Sequence, residues 1–335
     1  GAMLGHSRLP RRLLPIAHAR LGGAVAGLPH GGVIAALWRR ACVESVANWR
    51  RGLPALDAMA EAGIPVILMK GAAFAERHYG GWGARPMSDI DFLVPEGRAA
   101  EADALLRERG WVPSPGFNAI RLRLQYALTY RKPGGGNLDM HWRPMAEMCL
   151  PGHDERELWE RSEGVELFGR PFRVPDPTFA FFHTIVHGLR WNHISPVRWM
   201  ADARMLLEAE AGRVDGARLW DLAARFRSVL PLGRGLELLA ETFPVLAGRI
   251  AALGAPPGEI HPAEPALMRQ RLAEPTAAVP AEDMRWLVAD FRDRMLGLEH
   301  AGIVVAGGAE PESVAAWCRA ADVPWIETAD RKAAR

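Results

Sequence analysis

Met87-Ser-Asp-Ile-Asp-Phe-Leu-Val94 is the stretch that most restricts what this chain can become. Its apolar end, Phe92-Leu-Val94, reads as a strand running into a core, and Asp89 and Asp91 stand two apart at its start. Side chains at i and i+2 of a strand point to one face, so both carboxylates aim at the same spot. Asp139, in the second strand-like segment Leu138-Asp-Met-His-Trp142, can supply a third. Convergent carboxylates repel one another unless cations lie between them. Oxygen ligands of this kind suit Mg²⁺, which is usually held by a few carboxylates together with substrate phosphates. Taken alone, an Asp-x-Asp pair is more often a solvated turn or a strand-end cap, so it needs supporting features.

Three features support it. Val66-Ile-Leu-Met69 reads as a strand that ends in Lys70-Gly71 and opens a helix over Ala72 to Tyr79. A glycine at such a turn lets a phosphate approach the backbone, and a helix N-terminus favours anions. Arg85, just ahead of the acidic pair, adds a cation. A strand, a phosphate-accepting turn, a cation and same-face acids together point to phosphoryl-transfer chemistry.

Lys70-Gly71, Arg85-Pro-Met-Ser-Asp-Ile-Asp-Phe-Leu-Val94 and Leu138-Asp-Met-His-Trp142, taken as a set, resemble the nucleotidyltransferase fold of the DNA polymerase β superfamily. The resemblance is strongest to its uncharacterised bacterial nucleotidyltransferase branch, and it spans roughly residues 50–210. It implies an α+β fold: a mixed β-sheet with helices, carrying Asp-x-Asp on one strand and a third Asp on a neighbour, plus a mainly helical C-terminal region. It also implies two Mg²⁺ ions and a nucleoside triphosphate donor. Carried over by position, Asp89, Asp91 and Asp139 are the catalytic, metal-binding carboxylates. Lys70, Gly71, Arg85 and Ser88 form the nucleotide-binding set.

One departure matters. The wider superfamily usually follows the turn glycine with a Ser whose hydroxyl helps hold the triphosphate, whereas Ala72 follows Gly71 here. Lys70 and Arg85 then read as the replacement anchors. The bland alternative is that Lys70 points to solvent and Arg85 merely pairs with a surface acid.

Composition narrows the partners. The 335 residues carry a formal net charge of +2 with the basic residues dispersed, so the basic stripe expected for a grip on long nucleic acid is missing. A small-molecule or peptide acceptor is expected instead. Cys42, Cys149 and Cys318 are far apart and odd in number, which argues against a disulfide framework and for a reducing cytoplasm. No apolar run approaches the length of a membrane span, and no signal-peptide pattern is visible. Gly1-Ala2-Met3 reads as a cloning remnant.

Four regions follow along the chain. Residues 1–62 read as a helical segment that packs on the sheet. Residues 63–150 read as the catalytic core, ending in a hairpin whose strands, Ala127 to Lys132 and Leu138 to Trp142, flank the turn-rich Pro133-Gly-Gly-Gly-Asn137. That glycine run lacks a following Lys-Ser/Thr pair and precedes a strand, so it is a hairpin tip rather than a phosphate loop. Residues 151–297 read as mainly helical after a short hairpin over Val165 to Val174, with a helix started by Pro175-Asp-Pro177. Residues 298–335 read as a strand-helix-strand tail.

The 177–189 helix places His183 and His187 at i and i+4, a spacing that could hold zinc. Thr184 stands where a zincin has Glu, so packing against the catalytic core is the favoured reading. His141, His183, His187 and Asp202 are the expected cleft wall. Asp202 is either a buried partner for a cation or a surface acid.

The expected function is Mg²⁺-dependent transfer of a nucleotidyl group from an NTP to a hydroxyl or phosphate of a small-molecule or peptide acceptor. Two alternatives stay open: a same-fold transferase with another phosphate-linked donor such as a nucleotide sugar, and a non-catalytic nucleotide-binding regulatory protein. All three acids being present favours the enzyme.

Overall fold

The two acidic segments form neighbouring parallel strands near the middle of a seven-stranded mixed sheet. The computed structural model describes residues 9–114, 117, 122, 125–150, 154–191, 198–210, 212–274, 279–295, 303–304 and 325–326. Strands are β1 (Ile67–Leu68), β2 (Ile90–Leu93), β3 (Val112–Ser114), β4 (Ala127–Arg131), β5 (Asn137–His141), β6 (Glu163–Leu167) and β7 (Arg170–Val174), in the order β3-β4-β5-β2-β1-β7-β6. Only β2–β5 and β1–β7 are parallel pairs in that sheet. The α+β class expected from the sequence is what forms.

Pro113 sits in β3, at the edge of the sheet, where a residue without an N–H costs no ladder bond. The β4–β5 turn is as the glycine run suggests: Gly134, Gly135 and Gly136 all have positive φ, which glycine adopts without a steric penalty. The hairpin β6–β7, assigned to the helical region on sequence grounds, instead extends the sheet. β7 pairs in parallel with the two-residue β1, which would otherwise be an unpaired buried edge.

Helix α1 (Leu9–Leu21) precedes α2 (Gly31–Glu61), a 31-residue helix that crosses one face of the sheet. The crossing is close because Gly52 has no side chain. A Cβ there would lie 2.5 Å from Ile90 Cδ1 and 2.9 Å from Leu138 Cδ2. Ile90, Phe92, Leu138 and Met140 are fully buried, and by strand alternation they share that face. Asp91, Asp139 and His141 therefore face the other way.

α4 (Ala99–Glu108), which follows β2, packs beside α2 on the face that α2 crosses, where its Asp103 accepts from Tyr130 Oη at 2.7 Å. On the opposite side α3 (Lys70–Arg77) follows β1. After α5 (Arg156–Arg161) and the β6–β7 hairpin comes α6 (Pro177–Gly188), capped by the Asp176 carboxylate, which accepts from the Thr178 and Phe179 amides, with Pro177 in the first turn. α7 (Arg198–Ala209) packs on α6 through Gly188, where a Cβ would lie 2.3 Å from Trp199 Cβ. Then follow α8 (Gly216–Arg225), α9 (Val229–Thr242), α10 (Ala247–Ala251), α11 (Glu264–Leu272) and α12 (Ala281–Met295).

In the tail, β8 (Ile303–Val304) and β9 (Trp325–Ile326) pair in parallel, and the expected intervening helix and Cys318 lie outside the described residues. Among the described residues no helix is long and apolar enough to cross a membrane.

Candidate active site

Parallel pairing of β2 with β5 sets Asp91 directly beside Asp139. The carboxylates of Asp91 and Asp139 and the ring of His141 each offer a ligand atom, all within 4.8 Å of one another. Asp89 stands just before β2 on the same parity as Asp91, so it too belongs to this face. Asp89 and Asp91 arise from one strand; the third acid and His141 come from the neighbour.

Polar side chains of α2 hold the entrances of these two strands. Ser45 Oγ accepts from the Met87 amide at 3.1 Å, and Asn48 Oδ1 accepts from the Asn137 amide at 3.0 Å. Asn137 Nδ2 in turn donates to the Ser88 carbonyl at 3.0 Å, joining the two entrances. Ser45 and Asn48 are buried polar residues three apart on one helix, a pattern readable as the polar seam of an otherwise apolar face. Sequence reasoning missed all three.

Lys70 reaches the site for a local reason. β1 runs antiparallel to β2, and the Met69 amide donates to the Asp91 carbonyl at 3.0 Å, so the next residue emerges at the side of Asp91. Lys70 has φ of 45°, an uncommon conformation for a non-glycine residue that costs of order 1 kcal/mol and tends to cluster at functional sites. Its ammonium donates to Asp91 Oδ1 at 2.7 Å. His141 Nε2 lies 3.4 Å from the same oxygen, too far for a well-formed hydrogen bond.

These neighbours separate the acids electrostatically. Burial by itself would raise the Asp91 pKa, yet the Lys70 ammonium and His141 hold it well below the usual carboxylate range. Asp89 is pushed up to about 6 by burial and by the adjacent Asp91 and Asp139 charges. Burial and Lys70 push His141 down, favouring the neutral ring. Asp139 Oδ1 and both His141 ring nitrogens are buried without a hydrogen-bond partner among the described residues.

Arg85 has a partner that the sequence does not identify. The sequence reading makes it a triphosphate anchor; in the structure it is 4 % exposed, and its guanidinium forks onto Asp202 of α7. Nε donates to Oδ1 at 2.9 Å and Nη2 to Oδ2 at 2.7 Å, while Tyr79 Oη donates to Oδ1 at 2.7 Å. Asp202 is thus the buried partner of a cation. Beside it, a Cβ at Gly71 would lie 2.8 Å from Arg85 Nη1 and 3.2 Å from Met87, so the glycine makes room for the guanidinium. The pairing is tertiary, since Asp202 lies 117 residues further along the chain.

A cavity of about 570 Å³ opens over this face. Lys70, Arg85, Ser88, Asp89, Asp91, Asp139, His141, His183, His187 and Asp202 all line it. His183 Nε2 donates to the Pro144 carbonyl at 3.2 Å, and the His183 and His187 rings stack with centroids 5.1 Å apart. Burial holds His183 down at about 3 and His187 well below its ordinary value, so both rings are neutral. Arg190 and Arg198 also line the cavity, and neither was singled out from the sequence. Arg198 donates to the Pro86 carbonyl at 3.0 Å. A sheet face with buried acids, a lysine and a polar cavity above them can hold divalent cations and a phosphate-bearing molecule together.

The profile of a family described as uncharacterised nucleotidyltransferase matches residues 11–244. No curated protein matches the chain. Among solved structures, the antibiotic-resistance factor ANT(2'')-Ia is similar in two forms. Its solution structure is 16% identical with a TM-score of 0.36, over 62% of this chain and 96% of that one. Its crystal structure in complex with adenylyl-2''-tobramycin is 21% identical with a TM-score of 0.35, over 52% and 93%. An antigenic nucleotidyltransferase-like protein from Paracoccidioides brasiliensis is 15% identical with a TM-score of 0.38, over 63% and 92%.

Proposed function

The chain belongs to the uncharacterised nucleotidyltransferase family, and from that premise we propose that it is a Mg²⁺-dependent enzyme using a nucleoside triphosphate as donor. The acceptor is a hydroxyl or phosphate of a small molecule or peptide. The observation that carries this reading is the register of β2 on β5, which sets Asp91 beside Asp139 at the wall of a cavity of about 570 Å³.

The donor set fits a divalent ion. Asp139 keeps a buried oxygen without a partner, and the ligand atoms of Asp91, Asp139 and His141 lie within 4.8 Å of one another. Asp89, Asp91 and Asp139 would hold two Mg²⁺ ions, with the His141 nitrogen at hand beside them. When bound, such ions neutralise phosphate charge and make an attacking hydroxyl more acidic.

The chain's own groups do the rest. Asp91 stays ionised because Lys70 and His141 hold its pKa down, so it is a ready anionic ligand at neutral pH. Asp139, one strand over, is placed to take the proton of an acceptor hydroxyl. Lys70 adds a point charge next to the acids, where phosphates would gather. The neutral rings of His183 and His187 form the wall opposite without adding charge. Three cysteines that are odd in number and far apart, Cys42, Cys149 and Cys318, support a reducing compartment, the cytoplasm.

The test is on the donor side, where no acceptor need be known. Thermal unfolding is followed with each NTP and Mg²⁺, since a ligand of the folded state raises the midpoint. At least one NTP should stabilise the parent protein in a Mg²⁺-dependent way, and Asp91→Asn should lose that response. Equal stabilisation of the variant, or none of the parent by any NTP, goes against the reading.

A further inference from the structure

Of the cations lining the reaction cavity, most are already engaged. Lys70 donates to Asp91, Arg85 forks onto Asp202, and Arg198 donates to the Pro86 carbonyl. Arg190 differs: its backbone amide donates to the Gly188 carbonyl, and its guanidinium has no hydrogen-bond or ion-pair partner among the described residues. It is half-buried, on the wall of the cavity just past the end of α6.

Its backbone is held in place from both sides. The Arg190 amide bonds Gly188 O at 3.0 Å, and the following residue, Trp191, donates its amide to the Arg271 carbonyl of α11 at 2.8 Å. Arg271 Nη1 then returns to the Val186 carbonyl of α6 at 2.6 Å. The backbone here is fixed beside the cavity, and the guanidinium bonds no described residue, so its donors are open to a ligand. Arg190 also lines a second cavity of about 760 Å³, which shares Tyr126, His187 and Arg190 with the first. Arg190 therefore lies between the reaction cavity and its neighbour.

We propose that Arg190 grips the pyrophosphate portion of the donor, the part that leaves when the nucleotidyl group is transferred. The inference rests on the nucleotidyltransferase reading above. A guanidinium presents paired N–H groups that match phosphate oxygens, an interaction stronger than a neutral hydrogen bond. Charge favours the same assignment. Asp89, Asp91 and Asp139 call for cations of their own, and Arg85 is balanced by Asp202, so a triphosphate tail needs a cation not already paired. Arg190 supplies one.

Calorimetry on the full chain with Mg²⁺ tests this, using inorganic pyrophosphate, the four NTPs and the matching nucleoside monophosphates as probes. Arg190→Ala should weaken pyrophosphate and the preferred NTP roughly ten- to a hundredfold, the loss of a charge-assisted contact, while leaving the monophosphate unchanged. Arg190→Lys should recover part of the loss, because the charge returns without the fork. The guanidinium has no partner among the described residues to lose, so the variants should melt with the parent protein. Unchanged pyrophosphate affinity in Arg190→Ala overturns the assignment and leaves the enzyme reading standing. Equal weakening of monophosphate and pyrophosphate overturns it as well, as a general distortion of the cavity. Failure of the parent protein to bind any NTP or pyrophosphate overturns both.

Discussion

Replacing Asp202 by alanine should destabilise the protein strongly, because it strands a buried cation. Asp202 accepts three hydrogen bonds, two from Arg85 at 2.9 and 2.7 Å and one from Tyr79 at 2.7 Å. The Arg85 and Asp202 side chains are only 5% and 6% exposed. At an effective dielectric near 20, opposite charges centred about 4 Å apart attract by about 4 kcal/mol, and removing one member of a buried pair typically costs about 3–5 kcal/mol. Asp202→Asn keeps the shape and some acceptor capacity, so a smaller loss is expected, about 1.5–3 kcal/mol for the charge-assisted bonds. The double variant Arg85→Met with Asp202→Leu removes both charges together and should lose less than either single alanine variant. Urea unfolding of the parent, Arg85→Met, Asp202→Leu and the double closes a mutant cycle that isolates the pair. A loss below about 1 kcal/mol in Asp202→Ala, against the buried-pair range, would mean that Arg85 finds another partner or water and that the pair does not join α7 to the catalytic face.

Two further outcomes follow from the same neighbourhood. Gly71→Ala should cost about 1–3 kcal/mol by overpacking, since the new Cβ meets a buried, doubly bonded guanidinium rather than a loose side-chain end; an unchanged urea midpoint would show that α3 shifts freely. His78 is held neutral with its pKa down at about 4 by burial and the nearby Arg77, whereas an unfolded chain takes up that proton near 6.5. The unfolded state therefore binds more protons across that interval, and stability should fall as pH drops from about 6.5 to about 4, by at most about 3 kcal/mol from this group. His78→Gln should flatten that part of the stability–pH curve, and an unaltered slope would remove His78 as its source.

Much of the site was legible in local sequence, because strand geometry is local. The two-residue period places Asp89 with Asp91, and Asp139 with His141, before any partner strand is known. The glycine run marks a tight turn, so the β4–β5 hairpin could be read where it forms. The Asp-Pro start of α6 and the apolar spacing of α2 announce helices for equally local reasons. Pairing is another matter. That β5 lies beside β2 in parallel, with Asp139 level with Asp91, depends on a crossover that no short segment encodes; here the motif set, through its family resemblance, supplied what periodicity could not.

Tertiary structure alone decided the cations. Lys70 and Arg85 look alike in sequence, both flanking the acidic motif, yet one lies against Asp91 and the other is buried beside Gly71, forked onto Asp202 of a helix that returns 117 residues later. The β6–β7 hairpin joined the sheet because β1 is two residues long and needed a partner on its open side. Arg190 carries no motif at all. It becomes notable only once the other arginines and the lysine of the cavity are seen to be engaged, since which charge remains unpaired is a property of the whole fold and not of any stretch of chain.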